Sequence, residues 1–231
     1  MTSWLRSLRL LLLSLVLVAG GAGALLAQGA ALVVEDWSKQ PEGKTGIPDG
    51  WKGQNWGSPK YDFRIVPESP SKVLHMKSDK DGSTISKEVK VDVKQYPHLT
   101  WRWKAVALPK GADSRKAATD DQACQVYVTF PRFPTAVRSR IIGYVWDTTA
   151  PAGTIVQSQK TSTVTYVILR SGPGELGRWL TETRNVLEDF RAIHKQDPSE
   201  QVGAVSVAID SNDVGDRAEC LVGAIAFKKQ P

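Results

Sequence analysis

From Leu32 onward, apolar and polar positions alternate in short bursts separated by turn-forming residues. Bursts rich in Val, Ile, Thr, Tyr and Trp fall at 32–37, 61–66, 72–78, 83–93, 98–108, 122–130, 139–147, 161–170, 202–210 and 219–228. Period-2 alternation in such residues predicts strands. The gaps between them, such as Ile47-Pro-Asp-Gly50 and Ser171-Gly-Pro-Gly174, carry the Gly, Pro and Asp of tight turns. Many short strands without alternating helices predict an all-β, jelly-roll-like antiparallel sandwich. One segment departs from this period. Val186, Phe190 and Ile193 recur at helical spacing, Asn185 can cap the start, and Glu188 completes a box-like signature. A short helix is predicted near 186–195.

Parity assigns faces within the strands, because successive side chains point to opposite sides. In His98-Leu-Thr-Trp-Arg-Trp-Lys104, the residues Leu99, Trp101, Trp103 and Ala105 share one face. That face is predicted to be core, since a buried aromatic removes about 150–250 Å² from water. The opposite face, carrying Arg102 and Lys104, is then the one free for chemistry. In 124–130, Cys124, Val126, Val128 and Phe130 read inward, leaving Gln125, Tyr127 and Thr129 outward. In 141–147 both faces are apolar, so parity leaves the orientation of Tyr144 and Trp146 open. If they point the same way as Tyr127 and Arg102, the sheet bears an aromatic and cationic concavity. Such a surface suits a carbohydrate or acidic polymer, with rings for stacking and cations and amides for hydroxyls or carboxylates. Otherwise the strand is simply buried on both sides.

The 231 residues suit one sizeable domain behind a leader. Arg6 and Arg9 precede an apolar run, which gives way to Gly20-Gly-Ala-Gly-Ala24 and further small residues up to Ala30. A basic start, an apolar middle and small residues at the end describe a signal peptide over 1–30, and hence a periplasmic or secreted protein of 31–231. An uncleaved anchor is the competing reading, and it would be the chain's only link to a membrane; glycines 20 and 21 interrupt the apolar run and favour cleavage. The net charge of +6 falls to +4 once Arg6 and Arg9 leave with the leader. Lys and Arg are scattered, so no nucleic-acid footprint emerges. The cysteines are Cys124 and Cys220 alone. An oxidising compartment would permit a bridge between them, and two buried thiols are the alternative.

Catalytic motifs are not legible. His75, His98 and His194 lie in separate segments, without the paired spacing of a zinc site. Neither the Gly-x-Ser-x-Gly elbow of serine hydrolases nor a phosphate-cradling loop is present. Asp210-Ser-Asn-Asp-Val-Gly215 resembles half a calcium loop, but Val214 at the fifth position and Leu221 at the twelfth break a hand-type site. Calcium held partly by distant strands is the remaining cofactor reading; no other is expected. Carboxylates for glycoside cleavage are numerous, among them Asp120, Asp121, Glu182 and Asp189, but one sequence sets no separation between them. Arg184, Asn185, Glu188 and Asp189 lie at helix-surface spacing, where structural pairs compete with ligand binding.

The segments VEDW, IPDGW, LTWRWK, GADSR, DDQACQVYVTF, GYVW, the RSG–GRW–RNVLEDFR run, AIDSNDVG and VGAIAF follow one another in that order. This order resembles exported bacterial proteins of domain-of-unknown-function family 3047, over about 32–229. The resemblance implies an exported β-sandwich akin to carbohydrate-binding jelly rolls, with no established activity. It points to Asp121, Arg184, Asn185, Asp189 and Asp210 as polar positions. The chain departs from the pattern at Gln125, where arginine is usual, in the 210–215 run, and at Ala224, where an acidic residue is frequent. Parity and resemblance together give the candidate ligand-binding set Arg102, Asp121, Gln125, Tyr127, Tyr144, Trp146, Arg184, Asn185 and Asp189. The expected function is non-catalytic binding of an envelope glycan or a similar polyhydroxylated or acidic ligand. A glycoside hydrolase or lyase is the alternative.

Overall fold

Strand β6 (His98–Ala107) shows the alternation at its cleanest: Leu99, Trp101, Trp103 and Ala105 are buried, while Thr100, Arg102 and Lys104 are partly open. A computed structural model describes residues 29–231. The leader reading of 1–30 therefore falls, apart from Gly29 and Ala30, outside the described residues. Residues 31–231 form one compact unit.

The unit is a two-sheet β-sandwich. Its first sheet runs β11 (Leu180–Asn185), β6, β13 (Arg217–Lys228), β4 (Ser71–Asp79) and β3 (Asp62–Glu68). β1 (Ala31–Glu35) joins it by pairing with the far half of β13, beyond the stretch that pairs with β4. At the handover the register of β13 slips between Val222 and Ile225, and the indole Nε1 of Trp37 donates to the carbonyl of Gly223 at 2.9 Å. The second sheet runs β2 (Lys52–Gly53), β5 (Gly82–Val91), β12 (Val202–Asp210), β7 (Cys124–Phe130), β8 (Arg140–Asp147), β10 (Val164–Ser171) and β9 (Ile155–Gln157).

The main core lies between the sheets and contains Trp101, Trp103, Tyr144 and Trp146. The Trp101 and Trp103 rings meet edge to face at 5.4 Å, and Tyr144 lies 5.3 Å from Trp101. The disulfide Cys124–Cys220, with Cα atoms 5.7 Å apart, crosses this core from β7 to β13 and joins the two sheets.

Three features depart from the sequence reading. β8 and β10 pair in parallel, not antiparallel, because residues 148–163 carry the chain back across the sheet. Parallel neighbours require such a crossover. Strands β2, β9 and β11 were not expected; each is short or rich in polar residues. A four-residue helix, α1 (Thr135–Arg138), also precedes β8. The helix expected near 186–195 is α2 (Val186–His194), capped by Asn185 Oδ1, which accepts from the Glu188 amide at 3.2 Å. Val186 and Phe190 are its fully buried anchors.

Candidate functional site

The crossover builds a second apolar layer outside the second sheet. Val145, Ala150, Tyr166 and Ile168 form its centre, with Tyr127, Val156 and Val164 against them. This layer explains why β8 is apolar on both faces: Ile142, Tyr144 and Trp146 point into the main core, and Val145 points into the outer layer. Of the two readings left open for this strand, the shared concavity does not form and the strand is buried on both sides. Tyr144 and Trp146 are core residues, 0% and 1% exposed. Arg102 is on the outer face of one sheet and Tyr127 on the outer face of the other.

None of the outer-layer residues comes from β5 or β12. Across the second sheet the strand register aligns outer-face side chains in rows that are partly open at β5, buried at Ser206 and Gln125, and covered by the outer layer from β8 onward. One row is Lys52, Ser86, Ser206, Tyr127, Gly143 and Tyr166. The adjacent row is Thr84, Ala208, Gln125, Val145 and Ile168. Ser86 Oγ and Ser206 Oγ are 2.7 Å apart, and the Tyr127 hydroxyl donates to Gln125 Oε1 at 2.5 Å. The tyrosine rings need the glycine between them: a Cβ at 143 would come within 2.6 Å of Tyr127 Cε1 and 3.1 Å of Tyr166 Cδ1. At the open margin, Gln54 accepts from the Thr84 amide at 2.7 Å and donates to the Trp56 carbonyl at 3.0 Å. Trp56 itself is 62% exposed.

One end of these rows is closed by carboxylates that the sequence scatters over 90 positions. Asp210 Oδ1 accepts from the Gln122 amide (2.5 Å) and from Gln125 Nε2 (2.9 Å). Asp121 takes the amides of Asp213 and Val214 at 3.2 and 2.8 Å, which fixes the 211–215 turn. Asp120 accepts from Gln122 Nε2, the Tyr166 hydroxyl and Ser158 Oγ. Lys160 pairs with Asp213 above the group. Burial raises the pKa of Asp120 and Asp121, and raises that of Asp210 well above its ordinary value, with Asp121 and Asp120 adding repulsion there. Burial also pushes the Tyr127 and Tyr166 phenols up. No group of three or more His, Cys, Asp or Glu among the described residues is arranged to hold a metal ion.

The nine candidate residues thus separate into distinct places. Asp121, Gln125 and Tyr127 belong to the carboxylate end and rows just described. Arg184, Asn185, Asp189 and Tyr144 meet at the start of α2: Arg184 Nε and the Tyr144 hydroxyl both donate to Asp189 Oδ2, at 3.0 and 2.8 Å. That knot ties β11, α2 and β8 together. Trp146 donates to the Gly172 carbonyl from within the core, and Arg102 stands apart from the other candidates, on the outer face of β6. Sequence reasoning passed over Trp56, Ser86, Ser206, Gln122 and Tyr166. Period-2 parity could have placed Ser86 and Ser206 outward, but no local signal brings them beside Tyr127.

Residues 49–226 match the model of a family described as protein of unknown function, DUF3047. The chain belongs to this family. No curated protein sequence matches it. Several solved structures are similar at low sequence identity. A family 30 carbohydrate-binding module of a cellulosomal cellulase from Clostridium thermocellum aligns over 87% of this chain and 98% of its own, at 10% identity and a TM-score of 0.44. The xyloglucanase domain of NopAA, a type three effector from Sinorhizobium fredii, aligns over 83% and 99%, at 12% identity and a TM-score of 0.46. A cellulose-specific module named CBM28 aligns over 82% and 94%, at 13% identity and a TM-score of 0.37. At these scores the likenesses bear on no individual residue of the DUF3047 chain.

Proposed function

We propose that this DUF3047 protein is an exported, non-catalytic binding protein for a polyhydroxylated ligand, an envelope glycan, received on the outer rows of the second sheet. The observation that carries this reading is the register that sets Ser86, Ser206 and Tyr127 side by side, with Thr84 and Gln125 in the next row. The Ser86 and Ser206 hydroxyls, on strands about 4.7–4.9 Å apart, suit the repeated hydroxyls of a sugar chain, while Gln125, 1% exposed, and the Tyr127 phenol that donates to it form the floor beside them. Trp56 at the margin offers an accessible ring for stacking. The internal engagement of the carboxylates favours binding over cleavage: both oxygens of Asp121 hold backbone amides, and Asp210 holds an amide and a glutamine. Export is supported by the leader-like composition of 1–30 and by the inter-sheet disulfide, a bond that persists in oxidising compartments.

A neutral glycan array followed by a product assay tests this. The expected result is retention of at least one oligosaccharide without its breakdown. Trp56→Ala should weaken that retention roughly tenfold, as loss of one stacked ring worth about 1.4 kcal/mol would, at unchanged melting temperature. Released shorter sugars, or no retention across the array, would overturn the reading.

A further inference from the structure

The outer face of the first sheet holds a cation in an unusual setting. Arg102 points outward from β6, and its stem lies flat on β13: a Cβ at Gly223 would come within 2.4 Å of Arg102 Cγ and 2.5 Å of Nε. Trp179, just before β11, covers it from above, with the guanidinium carbon 4.5 Å from the ring centroid. The indole is itself anchored. Its Nε1 donates to Glu68 Oε1 at 2.5 Å, and the same oxygen receives Lys104 Nζ at 3.0 Å. Lys104 also lies 5.0 Å from the Trp179 centroid.

Glu68 Oε1 is taken by Lys104 and Trp179, and although the charge of Arg102 reaches Glu68, no carboxylate lies within ion-pair distance of Arg102 among the described residues. Among the described residues its one hydrogen bond joins Nη2 to Ser71 Oγ at 3.3 Å. Arg170, Arg184 and Arg191, by contrast, each grip a carboxylate with two nitrogens. A guanidinium held flat between a glycine and an indole has already lost its rotamer freedom, while its N–H groups keep unused donor capacity. Hydroxyls surround it. Thr181 is the β11 residue directly opposite Arg102, Thr183 is opposite Thr100, and Ser71 is the existing partner. A planar fork of donors matches a carboxylate, and the neighbouring hydroxyls match those of a sugar ring.

We propose that Arg102, seated on Gly223 and held by Trp179, is a second binding site that takes a carboxylate-bearing sugar unit of an acidic polysaccharide. The site lies on the opposite sheet from the rows of Ser86, Ser206 and Tyr127, so the two proposals fail separately.

The test uses the full chain and two probes, oligogalacturonate and the same oligomer with its carboxyls methyl-esterified, measured by calorimetry alongside a neutral oligosaccharide. Oligogalacturonate should bind and the ester should not. Arg102→Ala and Arg102→Lys should each lower that affinity on the order of tenfold, because lysine keeps the charge but loses the fork. Trp179→Phe should lower it less, and all three variants should melt with the parent. Neutral oligosaccharide binding should not move. Equal binding of Arg102→Lys and the parent would mean general attraction to a cationic surface and would overturn the proposal. Binding of the ester as tightly as the acid, or indifference to Arg102→Ala, would overturn it as well.

Discussion

Trp103 is wholly buried, its ring against Trp101 and Trp146 and its Nε1 donating to Glu182 Oε1 at 3.1 Å. Trp103→Ala should cost about 3–5 kcal/mol, the usual range for emptying a large aromatic site, read as a lowered midpoint in urea unfolding. The neighbouring outward position, Arg102, should tolerate alanine with little change, since an exposed cation adds little net stability. The contrast between adjacent residues was legible in the sequence, because β6 alternates cleanly and only one of its faces can be core. Tyr144 and Trp146 were not legible. Their strand carries Val145 and Ile141 on the other face, and only the crossover at 148–163, distant in sequence, shows why both faces are apolar. The grouping of Asp120, Asp121 and Asp210 was hidden for a similar reason: strand pairing of β7 with β12 assembles it, and no spacing along the chain records it.

Among the elements, α2 was the easiest to foresee, with its cap, its box glutamate and its buried stripe all local in sequence. β11 was missed because its inward face has Leu180 as its one apolar residue and is centred on Glu182, whose carboxylate answers Arg170 and Trp103 inside the protein. A buried charge at a core position erases the apolar half of the alternation. The last turn of α2 carries a titrating group. His194 stacks on Phe190 at 4.5 Å, and its Nε2 is buried without a hydrogen-bond partner. Burial first, then the charges of Arg140 and Arg132, lower its pKa from the ordinary 6.5 to about 4. Between those values the unfolded chain binds the proton and the folded one does not. The contribution of a neutral His194 is therefore complete above about pH 6.5 and is lost as the pH falls toward 4. His194→Phe should flatten this part of the profile, so that parent and variant differ less in urea midpoint at pH 7 than at pH 4.5, where the variant gains. Parallel profiles for the two would contradict this.

At the scale of the whole molecule, the class of fold was legible and the assignment of strands to sheets was not, because each sheet mixes early and late segments. The disulfide spans 96 residues of chain and connects the two sheets. Closing a loop of that length removes much of the unfolded chain's freedom, so Cys124→Ala with Cys220→Ala should cost about 4 kcal/mol. Denaturation of the double variant beside the oxidised parent measures it, and equal midpoints would refute it. The last strand in chain order, β13, has a consequence for how the protein is made. It lies between β6 on one edge and β4 and β1 on the other, and it brings the second cysteine. A chain that emerges amino terminus first presents β1, β4 and β6 with their central partner still missing. β3 can close on β4 and β11 on β6 beforehand, but those two pairs cannot join into one sheet until residues 217–228 arrive. Until then the inner edges of β4 and β6 stay unpaired, the kind of open strand edge that can pair with another chain.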